Sequence, residues 1–359
     1  MLLSDICEII MGQSPSSDSY NVKGQRLPFF QGNADFGKLY PSVRLWCNCP
    51  IKKAEAGDLL VSVRAPIGAV NLANQKCCIG RGLAALRPYR DKCDAMYLYY
   101  LIKAGKNKLN WLGTGSTFKA ITRSSLLSFN VPDYCIAFQR KISGKLWSVD
   151  KLIHQRNEQL KLFDLLIQSR FVELFGNPVI NQKRFPVKQV GDVIDFIGGS
   201  QPPKNVFEYT PTEENIRLIQ IRDYRTDKYK TYIPRKLAKR FCTADDIMIG
   251  RYGPPIFQIL GGIEGSYNVA LMKAVPKMGN REFIRWFLKQ ECLLHYLEGM
   301  SKRTAGQDGI QMDKLKKYPF PYPPIELQNQ FANFAKQLDK SKYRGRIFLR
   351  LLEDASHML

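Results

Sequence analysis

A mixed α/β fold, two repeated globular domains separated by two long antiparallel coiled-coil helices about a pseudo-twofold, is predicted by three observations. The first is a heptad series in the middle of the chain, in which Leu146, Ile153, Leu160, Ile167 and Leu174 recur every seven residues. The second is a repeat: one half of the chain resembles the other at an offset of 187–189 residues. The third is charge. The 359 residues carry a formal net charge of +22, and residues 1–180 and 181–359 each hold +11 of it.

The repeat sets the order of the elements. "LSDICEIIMGQSPSS" (3–17) resembles "VGDVIDFIGGSQPPK" (190–204), matching Asp5 with Asp192. "AGDLLVSVRAPIGAV" (56–70) resembles "ADDIMIGRYGPPIFQI" (244–259), matching Asp58 with Asp246 and Pro66 with Pro254. "ITRSSLLSFNVP" (121–132) resembles "IQMDKLKKYPFP" (310–321), and Gln139 in "AFQRKI" matches Gln328 in "ELQNQF". Each half therefore opens with a short helix and a Gly/Ser/Pro turn. Apolar runs follow that read as strands: "LPFFQG", "DLLVSVR" and "LAALRP", then "IRLIQIR", "DIMIGRY" and "ALMKAV". Aromatic-rich helical patterns come next at 96–109 and 282–298, each followed by a Gly-rich loop with a base, "GTGSTFKAI" (113–121) and "SKRTAGQDGI" (301–310).

The first long helix is predicted from about Ile136 to Phe175, ending at Gly176-Asn177-Pro178, a glycine-then-proline stop. At 1.5 Å per residue it makes a rod of roughly 60 Å. Its seam is Ile142, Leu146, Val149, Ile153, Leu160, Phe163, Ile167 and Leu174, with Arg156 and Arg170 continuing the second series. The second long helix starts after Pro323-Pro324 and carries Phe331, Phe334, Leu338, Ile347, Phe348, Leu351 and Leu352. Its heptad is poorer, because Lys342 and Gly345 stand where Ile153 and Arg156 stand in the first. Two such helices can bury their stripes on each other. The resulting domains are 1–132, a central helix in 133–178, 179–322, and a C-terminal helix in 323–359.

Composition excludes several classes. No apolar run approaches the ~20 residues that span a bilayer, and "MLLSDICEII" is too short and too acidic for a signal peptide. A cytoplasmic protein that touches no membrane is the expectation. Nine cysteines without framework spacing and without a C-x-x-C pair argue for reduced thiols. Three scattered histidines make a metal site unexpected. There is no phosphate-binding loop of the P-loop type. Gly80-Arg81-Gly82 and Gly113-Thr114-Gly115 lack the context of a dinucleotide or S-adenosylmethionine fold. No Asp or Glu has a lysine two positions later, as the commonest nuclease centres require, and no serine sits in G-x-S-x-G. Catalytic residues are therefore expected to be none, and acids such as Asp58 and Glu264 structural.

Two equally basic globular halves suggest one polyanion touching both. Phosphates are met by Lys, Arg, hydroxyls and Gly-rich backbone, and base edges by Arg, Asn and Gln. In the first half the contacting set is read as Gln13, Ser14, Gln31, Asn33, Arg64, Thr114, Ser116 and Lys119. In the second it is Gln201, Lys204, Arg222, Arg251, Tyr252, Lys302, Arg303 and Gln307. Arg64 and Arg251 fall at equivalent positions within one residue, each at the end of an apolar strand.

The ordered set "LSDICEIIMGQSPSS", "AGDLLVSVRAPIGAV", "GTGSTFKAITRSSLLSFNVP", "FQRKISGKL" and "PPIELQNQF" resembles the specificity subunit of type I restriction–modification systems, over essentially the whole chain. One departure is that "VPDYCIAFQRKI" lacks the paired prolines and acid of "YPPIELQNQ". The resemblance implies a non-catalytic reader of double-stranded DNA. Each globular half would be a target recognition domain for one half-site, and the helices would set the spacer and dock two modification (methyltransferase) subunits. Those would bring S-adenosylmethionine and methylate adenine, while restriction subunits would bring ATP and cut; the chain itself would need no cofactor. The competing readings are a methyltransferase or nuclease acting alone, a coiled-coil scaffold with incidental charge, and a reader of the same fold serving a different multi-subunit restriction enzyme.

Overall fold

The computed structural model describes residues 1–114, 119–252, 256–300 and 310–358. They divide into two units, 1–156 with 349–359, and 157–348. Each is a mixed α/β body built on the same plan, as the repeat predicts.

In the first unit the helix Leu3–Ile6 leads into an antiparallel sheet whose spatial order is Cys7–Met11, Leu83–Pro88, Leu59–Ser62, Val70–Leu72. The second unit repeats it: Val190–Val193, then Ile194–Gly198, Leu271–Pro276, Ile247–Gly250, Gln258–Gly261, again antiparallel. A second sheet lies in each unit. Its central pair is parallel, Leu27–Phe30 with Cys77–Ile79 in one and Asn215–Ile219 with Gly265–Tyr267 in the other. Leu59, Leu60 and Val61, and Ile247, Met248 and Ile249, are buried on both faces, which is why these strands read as continuous apolar runs rather than alternating ones.

The aromatic-rich stretch 96–109, read as one helical pattern, is two helices, Ala95–Ala104 and Lys106–Leu112. The break falls at Gly105, whose N–H caps the first helix on Leu101. A side chain there would meet the tip of the Phe129 ring at 2.9 Å, so any residue larger than glycine would have to push that ring aside. The second stretch is likewise divided, into Arg281–Leu288 and Glu291–Met300.

The long helices are Ile136–Phe175, the range read from the sequence, and Ile325–Met358. Ile142, Leu146, Val149, Ile153, Leu160, Phe163, Ile167 and Leu174 are all buried or half-buried on the first, while most residues between them are exposed. In the second unit the two helices run antiparallel: Phe171 meets Phe331 at 5.4 Å between ring centroids, and Asp164 pairs with Lys342 further along. Leu338 packs against the same core. The seam of the second helix differs from the expected set. Ile347, Phe348 and Leu351 are exposed, whereas Lys342, Gly345 and Leu349 are buried. The reason is that Lys342 is bound by two carboxylates, Asp164 and Asp339, and so can occupy a seam position that its charge alone would forbid.

Gly144 is exposed within the first long helix, with open space where a side chain would stand. Gly144→Ala is expected to raise stability by about 1 kcal/mol, through helix propensity; urea unfolding of the two chains measures it.

Candidate functional site: turns at the strand ends

In the first unit, four turns meet at one end of the strands. The Gln13 N–H donates to Ile79 O and the Gly80 N–H to Phe30 O. The Val63 N–H donates to Gly82 O, and the Ser14 hydroxyl accepts from the Arg81 N–H. Glycine makes this convergence possible. A side chain on Gly12 would stand 2.2 Å from Gly80 O, and one on Gly82 would stand 2.3 Å from Gln31 O. The Gln31 turn is held from inside by Asp35, whose carboxylate accepts the Gln31 N–H at 2.7 Å and is paired with Arg44. Asn33 is half-buried and opens the same turn.

Arg64 is exposed just past the strand Leu59–Ser62. Its backbone bridges Ala120, and Ala120 exchanges two hydrogen bonds with Thr114 at 3.0 Å each. The structure thus brings Gln13, Ser14, Gln31, Arg64, Thr114 and Lys119 into linked turns, with Gln13, Gln31, Arg64, Thr114 and Lys119 exposed. Ser116 lies outside the described residues.

The second unit rebuilds the arrangement with different side chains. The Gly199 N–H donates to Leu271 O, Ser200 to Tyr267 O, Asn268 to Ile219 O and Arg251 to Ala270 O. The last three are the counterparts of the Gln13, Gly80 and Val63 links above, and the Gly199 bond matches that of the Gly12 N–H to Leu83 O. Arg251 therefore corresponds in its hydrogen bonding to Val63, one position before Arg64. The Arg251 guanidinium lies over the Tyr252 ring, 5.3 Å from its centroid. Gln201 and Lys204 are exposed on the first turn, Gln201 donating to Pro202 O. Arg222 is exposed but tethered, donating to the Thr231 hydroxyl at 2.9 Å. Lys302, Arg303 and Gln307 lie outside the described residues.

Two residues were missed. Arg81 is exposed between Gly80 and Gly82, in contact with the Ser14 turn. Its signal is the flanking glycines, which matter here as close-approach positions rather than as a cofactor motif. Trp111 is 88% exposed, three residues before Thr114. On Lys106–Leu112 the buried position is Leu109, and Trp111 lies off that face.

Among the described residues of these turns nothing resembles an acid–base pair. Asp58 is buried and takes up both Arg87 and the Glu55 N–H. Its repeat partner Asp246 accepts from the Thr243 N–H and Lys273. Both carboxylates are structural. Among the described residues no group of three or more His, Cys, Asp or Glu could hold a metal ion, and no helix is long and apolar enough to cross a membrane.

Burial pushes the thiols of Cys7, Cys77 and Cys93 up from 9.0 to about 12. Alkylation at mildly alkaline pH is therefore expected to reach the exposed Cys49 and Cys135 first, and these three only on unfolding. The unfolded thiols ionise near 9.0 while the folded ones hold their protons, so this contribution to stability is whole below pH 9 and is lost as pH rises towards 12. Labelling followed by peptide mapping, and unfolding across that range, check both.

Two copies of one basic α/β unit, each exposing turns of Arg, Lys and Gln, define a tandem repeat of a single domain type. The chain belongs to the type I restriction modification DNA specificity domain family, whose model matches residues 1–162 and again 182–344. Specificity subunits of such systems are non-catalytic. The chain is similar to a putative type I restriction enzyme specificity subunit, MjaX, of Methanocaldococcus jannaschii: 43% identical over 152 residues, which is 42% of this chain and 36% of that protein. It also resembles the MjaIX specificity subunit of that organism, 25% identical over 246 residues, 61% of this chain and 56% of the relative. The matches thus span from about a third to just over half the length of these curated relatives. The crystal structure of the type I restriction–modification S subunit from M. genitalium superposes with a TM-score of 0.63 at 16% identity, covering 100% of this chain and 93% of that one, and so shares its fold.

Proposed function

We propose that this chain reads a split DNA sequence for a type I restriction–modification complex, with one globular half per half-site. The observation that carries this is the same framework of linked turns built twice, with different side chains on it. The shared main-chain bonds give both halves one geometry, while Gln13, Ser14, Gln31 and Arg64 in one and Gln201, Lys204, Arg251 and Tyr252 in the other give two specificities. A formal charge of +22 supports phosphate contact throughout.

The long helices set the separation of the half-sites and dock two modification subunits. Apolar side chains left outside the seam support the docking. Leu162, Leu165 and Val172 are exposed on the second unit's part of the first long helix, and Phe138, Trp147 and Leu152 on the first unit's part. S-adenosylmethionine and ATP belong to the modification and restriction subunits of this reading.

Binding to random duplex across a salt series tests the electrostatic part. The logarithm of the binding constant is expected to fall linearly with log salt at a slope of about −0.9 per phosphate met, and Lys119→Ala to shallow that slope without changing sequence preference. Binding insensitive to salt would defeat the reading and favour a scaffold.

A further inference from the structure

Each long helix begins with a buried glutamine that performs the same task in its own unit. Gln139 is 2% exposed and Gln328 is 0% exposed. The Gln139 amide donates to Lys92 O at 2.9 Å and Tyr134 O at 2.8 Å, and its oxygen accepts the Asp94 N–H at 3.0 Å. Asp94 is the N-cap of Ala95–Ala104, accepting from the Tyr97 N–H, and Ser143 of the long helix donates to that same carboxylate at 3.1 Å. In the second unit the Gln328 amide donates to Pro323 O at 2.8 Å and its oxygen accepts the Asn280 N–H at 2.8 Å. Asn280 is the N-cap of Arg281–Leu288, and its side-chain amide donates to Asn329 of the long helix. The residue before this cap is Gly279, at φ +81°, where a side chain would meet the Gln328 oxygen at 2.8 Å. The backbone has been left bare at the point where the glutamine enters.

We propose that Gln139 and Gln328 are positioning residues for half-site spacing. Each fixes the direction in which a long helix leaves its own globular body. The inference rests on the DNA-reading function argued above. Ile142 and Leu146, in the apolar cluster of that unit, are non-directional and tolerate rotation, so orientation falls to the polar contacts: those of Gln139, that of Ser143 with Asp94 and, further along the helix, those of Asp150 with Tyr100 and Lys103. A buried amide is costly unless its bonds are made, and each bond keeps its strength over a narrow angular range. The glutamine therefore holds one orientation of helix on body. Its recurrence in two halves whose recognition side chains differ fits a part that serves spacing rather than base choice.

The test uses the chain assembled with its modification subunits. They are supplied with S-adenosylmethionine and a duplex library in which both half-sites and the spacer length vary, and methylated adenines are mapped by sequencing. The wild-type complex is expected to favour one spacer length. Gln139→Met and Gln328→Met are expected to keep both half-site sequences while discrimination against neighbouring spacers falls about tenfold. Gly279→Ala, which crowds the Gln328 oxygen, and Ser143→Ala, which removes one bond from the first root, are expected to act in the same direction and cover the case in which a methionine variant fails to assemble. Spacer discrimination within about twofold of wild type, with lowered thermal stability only, overturns the inference and leaves the glutamines as packing. A wild-type complex that enriches no paired half-sites overturns the functional reading itself, and this inference with it.

Discussion

Phe171→Ala is expected to cost about 3–5 kcal/mol, the range for emptying an aromatic site in a closed core. Phe171 is fully buried on the first long helix. Its ring stacks on Phe283 at 5.7 Å with an interplanar angle of 13°, meets Phe331 edge-on at 5.4 Å, and lies tilted by 60° against Phe175 at 4.9 Å. Three elements of the second unit, the two long helices and Arg281–Leu288, therefore converge on this one side chain. The surrounding rings pack on each other, Phe175 on Phe283 at 4.6 Å and Phe283 on Phe320 of the strand Pro319–Pro321 at 5.9 Å, so the cluster has little freedom to collapse into the space left. Leu162→Ala on the same helix supplies the control: Leu162 is exposed, and its loss is expected to stay within about 0.5 kcal/mol. Urea unfolding read from the second unit distinguishes them. Equal midpoints for Phe171→Ala and wild type would mean that the aromatic cluster does not hold these helices together.

The heptad that announced the first long helix was legible because every seam residue from Ile142 to Leu174 is apolar, apart from Arg156 and Arg170. The second seam was only half legible. An apolar/polar pattern counts Lys342 against a buried position, and its partner Asp164 lies far away in sequence at an unremarkable site. The apolar residues Ile347 and Leu351 then drew attention to the wrong face. The strands were visible as apolar runs, but their order in two sheets per unit was not, because pairings such as Leu59 with Leu86 and Phe29 with Cys78 depend on contacts remote in sequence. The candidate turns were legible as polar residues after strands. That Gly80, Arg81 and Gly82 join them was not, since the role of those glycines appears only when Gln31 and Gly12 lie against them. The glutamine pair was visible as a repeat match, Gln139 with Gln328, and its chemistry required the caps it meets, Asp94 and Asn280.

Arg251→Ala is expected to weaken specific binding by roughly 1–3 kcal/mol and to relax one position of one half-site. Among the described residues its guanidinium has no carboxylate or hydrogen-bond partner and rests on the Tyr252 ring. An arginine laid on an aromatic face keeps its donors free while losing part of its rotational freedom, the condition for bidentate contact with a guanine edge. Arg222 makes the contrast. It is tied to Thr231 and lies 5.9 Å from the Tyr229 centroid, so part of its donor set is already used. Its replacement is expected to cost less. Arg251→Lys keeps the charge but loses the planar fork, so it is expected to restore non-specific affinity without restoring the sequence preference. Affinity measured on the cognate duplex and on single-base variants at fixed salt separates these outcomes. Target affinity and sequence preference both intact in Arg251→Ala would remove this residue from the reading surface, and the strand end after Ile247–Gly250 would lose its assigned role with it.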